Sequence, residues 1–504
     1  MSKPFVTFHT VTFQYDAAPA PIFQRISFQA APGWTGVVGA NGTGKTTLLK
    51  LATGVLKPDE GDIDAPSQAV YCPQRTDKIP EQAGEFFFEK TKSAYVIKSR
   101  LGIHNDWIHR WETLSHGERK RMQIAVALWL EPVLLAIDEP TNHVDAQARI
   151  IITKALETFQ GLGLLVSHDR ELLDSLCRQC LFIEPPQIVI RPGGVTRGLS
   201  LAKTEQETIK KRQTVKKKEY KRLHRLAVSR REKAQQADKR RSKRGIAPKD
   251  HDAKAKIDLA RLSGKDASAG KLLRQLDGRL KRVTEDVESL QVKKEYTLGI
   301  WLPGSRSSRD FLLQLPAGSL ALGKEKQLLY PDLFILPDDR IAVTGPNGAG
   351  KSTLIRKILP LLHVPLEHIT YVPQEISLEE SQNLLAQVHR LPNEQLGHLM
   401  TIVSRLGSRP HRLLESREPS PGEVRKLLLA LGMTRVPHII ILDEPTNHMD
   451  LPSIQCLEEA LADCPCSLVL VSHDEIFLKK LTGTHWHISP GSQVKNTWVM
   501  QIQT

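Results

Sequence analysis

The chain has 504 residues, of which 40% are hydrophobic and 25% charged, and its formal net charge is +14. That length exceeds what a single hydrophobic core sustains, so several domains are expected. No apolar run is long enough to cross a bilayer, and the N-terminal MSKPFVTFHT lacks the apolar stretch of a secretory signal, so a cytosolic protein is expected. The six cysteines include one metal-like spacing, Cys177-x-x-Cys180, which reads as two ordinary thiols because no second pair and no histidine pair accompanies it.

In chain order, the first informative stretch is GVVG followed by GANGTGKTT (39–47) and TLLKLATGV. The apolar run reads as a buried parallel strand, the glycine-rich run as a phosphate-binding loop, and the last stretch as a helix. Gly39, Asn41, Gly42 and Gly44 let backbone N–H groups close around phosphate oxygens. Lys45 supplies charge to those oxygens, and the Thr46 hydroxyl, followed by Thr47, is placed for Mg²⁺. YCPQ then ends at Gln74, and LSHGE spans 114–118. LLAIDEPTNHVD (134–145) reads as a buried strand that delivers Asp138 to the metal, with Glu139 placed to polarise a water. LLVSHD ends at Asp169 and carries His168.

The texture changes from about Leu201 to Leu298. Lys203–Arg244 holds 18 Lys and Arg against 5 Asp and Glu, so this segment carries +13 of the net +14 and the remainder about +1. It contains no Gly or Pro and is rich in helix-forming residues. Gly245–His251 brings the first breakers. Leu273, Leu276, Leu280, Val283, Val287 and Leu290 then recur at alternating spacings of three and four, a heptad seam. Ile209, Tyr220, Leu223, Ala227, Ala234 and Ala237 form a thinner seam on the first arm. An antiparallel helical hairpin is expected, with its tip within 243–270; about forty residues of helix reach about 60 Å. So strong an excess of one sign is self-repelling without a counter-charge, and phosphate contact with RNA is the favoured reading over a membrane surface.

Beyond the linker the first set of motifs returns in the same order. IAVTG leads into GPNGAGKST (345–353) and TLIRKIL, YVPQ ends at Gln374, PSPGE spans 419–423, IIILDEPTNHMD spans 439–450 and LVLVSHD ends at Asp474. Gly345, Asn347, Gly348, Gly350, Lys351, Ser352 and Thr353 repeat the phosphate loop; Asp443, Glu444 and His473 repeat the rest. The fold class is α/β: two phosphate-loop domains, 1–200 and 299–504, joined by a basic helical-hairpin linker, 201–298.

Together these motifs resemble an ATP-binding cassette ATPase over roughly 4–200 and 315–500. The resemblance implies ATP and Mg²⁺, with two cassettes paired head to tail so that each nucleotide lies between one phosphate loop and the other cassette's signature. One site would use Lys45, Thr46, Gln74, Asp138, Glu139 and His168, closed by Ser420, Gly422 and Glu423. The other would use Lys351, Ser352, Gln374, Asp443, Glu444 and His473, closed by Ser115, Gly117 and Glu118. Gln74 and Gln374 would join the metal ligands Thr46, Asp138, Ser352 and Asp443, and Glu139, Glu444, His168 and His473 would be catalytic. Two departures stand out. Pro419 and Pro421 remove N–H donors from the second signature. Tyr15 sits where the family stacks adenine, whereas SLALGKEKQ, around Leu322 in the second half, holds no aromatic, and an aliphatic side chain would take that place.

Two complete cassettes in one chain, NHxD after DEPT and a basic helical linker resemble the ABC-F family of translation factors and ribosome-protection proteins. That implies a ribosomal partner, contacts to rRNA and tRNA, and a linker running along E-site tRNA with its tip toward the P-site tRNA and the peptidyl-transferase centre. A monomer with intramolecular cassette pairing and no membrane partner is expected. The add-on arms of the family have no room: Gln74 to Ser115 is 41 residues, Gln374 to Ser420 is 46, and 31 positions follow His473. Antibiotic resistance, housekeeping rescue of stalled ribosomes, a transporter ATPase and a non-ribosomal nucleic-acid binder remain as alternatives in that order.

Overall fold

The computed structural model describes residues 5–16, 18–142, 144–185, 187–240, 275–286, 304–323, 326–406, 420–447, 449–491 and 496–503. The chain divides into two compact bodies, Met1–Gly198 with Leu298–Thr504, and Leu199–Thr297.

In the N-terminal half of the first body, a six-stranded sheet runs in the order Ala69–Cys72, Leu134–Asp138, Leu162–Val166, Gly33–Gly39, Cys177–Glu184, Gln187–Pro192. The first five strands pair in parallel and the last closes the edge antiparallel. Leu134–Asp138 and Leu162–Val166 are buried at every position, which is why they are continuous apolar runs rather than alternating ones. Phe23–Ala30, Val6–Phe13 and Glu60–Asp64 form a separate antiparallel sheet. The two sheets share one core, in which Phe8 stacks on Phe28 at 4.4 Å and meets Leu48, Leu49, Leu134 and Leu164.

The C-terminal half differs in one respect. Its parallel sheet is continuous with most of its antiparallel strands, in the order Gly318–Ala321, Gln327–Tyr330, Thr497–Gln503, Thr484–Pro490, Arg340–Thr344, Ser467–Val471, Ile439–Asp443, Ile369–Val372, while Leu313–Leu315 and Leu333–Ile335 pair apart from it. Gln327–Tyr330 makes the join by pairing with Gly318–Ala321 on one edge and, in parallel, with Thr497–Gln503 on the other. In both halves the phosphate loop lies between the central strand and the helix that follows, Lys45–Ala52 or Lys351–Ile358.

The helix Val195–Arg240 begins before the change in composition at Leu201 and runs through Gly198. That glycine is required by packing: a Cβ there would lie 2.6 Å from the Phe182 ring. In the second body, residues 275–286 form a helix that pairs with this one. Leu223, Leu276 and Val283 are buried together with Leu280 against them, and Ala227 is also buried. Lys216 bonds Asp286 at 3.0 Å and Arg231 bonds Asp277 at 2.7 Å. The later residue of one helix meets the earlier residue of the other, so the pair is antiparallel. Tyr220 stays exposed. The tip at 243–270, the seam residues Leu273, Val287 and Leu290, and the side chains of Ala234 and Ala237 lie outside the described residues.

Candidate functional site

The two phosphate loops are built alike. Gly44 (φ 96°) and Gly350 (φ 93°) hold the left-handed conformation at the start of their helices. A Cβ on Gly44 would lie 2.5 Å from Ile22, and one on Gly350 2.6 Å from Leu322. Backbone and space both demand glycine at these two positions. Gly39 ends the preceding strand and Gly345 directly follows it, and each packs against the neighbouring strand, at Ile183 and Ile488.

Lys45 Nζ donates to the carbonyls of Gly39 (2.9 Å) and Ala40 (3.1 Å), and to Asn41 Oδ1 at 3.4 Å. Lys351 Nζ donates to the carbonyls of Gly345 (2.7 Å) and Pro346 (3.1 Å) and lies 3.5 Å from His473 Nε2. Burial lowers the affinity of both amines for their proton, and the nearby carboxyls Glu139 and Glu444 oppose that shift. The Thr46 hydroxyl donates to Asp138 at 2.7 Å, and the Tyr71 hydroxyl reaches the same carboxylate oxygen at 3.3 Å. Asp443 is 1% exposed, and the Ser352 hydroxyl beside it favours its charged form. Burial raises its pKa. A hydroxyl, a buried carboxylate and a glutamine amide in each half are hard oxygen donors, which fit Mg²⁺ shared with phosphate oxygens.

Glu139 and Glu444 both turn off the end of a buried strand with positive φ, 47° and 49°. Each backbone N–H is bonded to the adjacent strand, at Val166 or Val471. Burial pushes both carboxyls up to about 8, with the loop lysine as the main opposing charge. His168 Nε2 lies 3.3 Å from Glu139, and the His168 N–H donates to the other carboxylate oxygen at 3.3 Å. His473 Nε2 lies 3.4 Å from Glu444 and 3.2 Å from Asn347 Oδ1. Burial, reinforced by Lys351, pushes His473 down to about 4, so its imidazole is neutral at pH 7.

One cavity of about 840 Å³ takes in both loops. Its walls include Asn41, Gly42, Gly44, Lys45, Thr46, Thr47, Gln74, Asp138, Glu139 and His168 from the first half. Asn347, Gly348, Gly350, Lys351, Ser352, Thr353, Gln374, Glu444 and His473 come from the second, along with the signature residues Ser420 and Gly422. Ser115, Gly117 and Glu118 line an adjoining cavity of about 430 Å³ together with Asn347 and Gln374. The two signatures thus each share a cavity with residues of the other half. Both open a helix through a capping box. Glu118 accepts from Ser115 N–H at 2.8 Å, and Glu423 from Ser420 N–H at 2.9 Å. Pro421 occupies the first helical position, where a missing N–H breaks no helical bond. Pro419 lies outside the described residues.

Tyr15 does not line the cavity. Its hydroxyl is 3.1 Å from Thr47 Oγ1 and its ring stands edge-on to Phe13. Ile22 takes the wall position that Leu322 takes in the second half, so both loops are flanked by an aliphatic side chain.

Two residues were not singled out from the sequence. Asp450, the last residue of DEPTNHMD, accepts from the Asn41 N–H of the opposite phosphate loop at 2.7 Å. Burial works against its charge, but hydrogen bonds from Ser453 and Asn41 outweigh it and hold the carboxyl below its ordinary range. Arg149 Nη1 donates to the His473 carbonyl of the opposite half at 3.1 Å. The repeated terminal aspartate was the one available signal, and its partner is 409 residues away.

The ABC transporter family matches residues 23–142 and 332–447. The ribosome protection protein VmlR of Bacillus subtilis is 26% identical, over 97% of this chain and 87% of its own length. The tylosin resistance ATP-binding protein TlrC of Streptomyces fradiae is 27% identical, over 96% and 97%. An archaeal ribosome recycling factor, solved in complex with a ribosomal stalk protein, shares the fold with a TM-score of 0.62 at 18% identity, covering 97% of this chain and 89% of that one.

Proposed function

Because the chain belongs to the ABC-F family of ATP-binding cassette proteins and is an ATP hydrolase, we propose that it binds the ribosome in its ATP-bound state and leaves on hydrolysis. Its basic linker inserts toward the P-site tRNA and the peptidyl-transferase centre, and the outcome is antibiotic resistance by ribosomal protection. The observation that carries the ATP-dependent part is the shared cavity, in which each half's phosphate loop meets the other half's signature or terminal aspartate. Such a site is complete only when the halves are together, so nucleotide occupancy and cassette closure are one equilibrium.

In this reading Lys45 and Lys351 hold phosphate oxygens, and the helix N-termini beside them favour the same charge. Thr46, Asp138 and Gln74, with Ser352, Asp443 and Gln374 in the other half, would hold Mg²⁺, which when bound neutralises charge on the transferred phosphoryl group. Glu139 and Glu444 orient the attacking water, each fixed by its histidine. Lys203–Arg244, at a net +13, supplies phosphate contacts that position the protein on RNA without reading sequence. The ribosomal reading is further supported by the name of VmlR, a ribosome protection protein, and the resistance reading by that of TlrC, a tylosin resistance protein.

The experiment is co-sedimentation with ribosomes. The Glu139→Gln/Glu444→Gln double variant in ATP is expected to enrich several-fold in the ribosomal pellet over the nucleotide-free protein. Equal recovery in both conditions would sink the proposal. A housekeeping role instead of resistance would show as unchanged drug susceptibility in cells expressing the chain.

A further inference from the structure

We propose that Arg149 is a positioning residue that couples the two ATP sites, by gripping the loops that carry His168 and His473 with one guanidinium. The inference rests on the twin-site ATPase reading above.

Arg149 lies on the helix Ala146–Leu156 and is largely buried. Nε is 3.3 Å from Asp169, Nη2 pairs with Glu171, and Nη1 donates to the carbonyl of His473 at 3.1 Å. Asp169 directly follows His168, which holds Glu139. The His473 N–H bonds Glu444. One planar, rigid fork therefore closes a continuous path from Glu139 through His168, Asp169, Arg149 and His473 to Glu444. Arginine suits this position because its donors diverge from one plane and can serve a carboxylate and a carbonyl at once.

The path runs through one side only. Asp145 to Asp169 and Asp450 to Asp474 are equally spaced, so the two halves can be matched position by position. Arg149 corresponds to Ile454 and Glu171 to Ile476. Ile454 is buried and has no side-chain donor. The second half has thus no equivalent grip, and the single Arg149 link carries movement between the His473 and His168 loops in either direction. A physical link that both sites bias is what a coupling claim requires.

The test is the ATP dependence of steady-state hydrolysis by the full chain, wild type against Arg149→Ile, the residue of the other half. Two coupled sites give the wild type a Hill coefficient between one and about two; Arg149→Ile is expected to lower it. In the same background, Glu444→Gln should change the rate at the Glu139 site less than it does with Arg149 present. An arginine that only stabilises the fold would lower the melting temperature and the rate without touching the Hill coefficient. Equal Hill coefficients in wild type and variant overturn the inference, a value of one in both included. If Arg149→Ile does not fold, Arg149→Lys decides by the same criterion, since an ammonium keeps the charge but not the fork. A wild-type chain with no ATPase activity would instead overturn the function on which the inference rests.

Discussion

At the scale of the residue, the most consequential feature is a pair of buried glutamates held neutral. Burial pushes the carboxyls of Glu139 and Glu444 up to about 8, while Lys45 and Lys351 pull against it. An acid whose folded pKa is raised contributes stability that is full below its unfolded value, near 4.5, and is lost as pH climbs through about 8. The nucleotide-free protein should therefore melt at lower temperature at pH 9 than at pH 6.5, and Glu139→Gln/Glu444→Gln should flatten that dependence. Calorimetry across the range checks it, and an equally steep loss in the double variant would show that other groups are responsible. Residue identities in the phosphate loops and at the strand ends were legible in the sequence, because each motif is contiguous and occurs twice. Asp450 and Arg149 were not, because their partners come from the opposite half of the chain. Tyr15 was placed by sequence distance from Lys45, but the wall beside the loop is formed by Ile22, which sequence spacing does not reveal.

At the scale of the element, the linker helices are the part with least to hold them. Among the described residues their shared core is Leu223, Leu276 and Val283, with Leu280 at its edge and ion pairs at Lys216–Asp286 and Arg231–Asp277. Exposed ion pairs contribute little, so the leucines dominate. Truncating a buried leucine to alanine costs roughly 2–5 kcal/mol. Leu276→Ala is expected to make the linker's helical signal melt separately and earlier than the cassettes in circular dichroism. One unchanged cooperative transition would contradict it. The heptad spacing made this pairing readable, and the five-residue buried runs made the central strands readable. The join of Gln327–Tyr330 to Thr497–Gln503 was not, since a four-residue strand pairing across the whole cassette leaves no local pattern.

At the scale of the whole molecule, charge is concentrated rather than spread, with a net +13 between Lys203 and Arg244. If that charge meets RNA phosphates, binding weakens with salt in proportion to the contacts made. Replacing Lys210, Lys211, Lys217 and Lys218 with Gln should make the log–log salt dependence of ribosome binding shallower by about 3, at roughly 0.7–0.9 per lost contact. An unaltered slope would remove these lysines from the interface. A different contact fixes which half can partner which. Arg170 of the first half is paired with Glu458 of the second, both almost fully buried, with Lys480 on the same acid at 3.0 Å. The matching positions are Glu475 and Thr153. A symmetric dimer makes every contact twice. Two first halves would set each Arg170 against Thr153 and bury two guanidinium groups with no acid, and two second halves would bring Glu475 against Glu458. Pairing two first halves leaves buried charge uncompensated, at a cost of several kcal/mol, and pairing two second halves sets a second carboxylate beside Glu458, which keeps only Lys480 of its own half. Fusion into one chain therefore does more than raise local concentration: the seam itself rejects like with like, so a newly made first half is kept available for the second half that follows it from the ribosome.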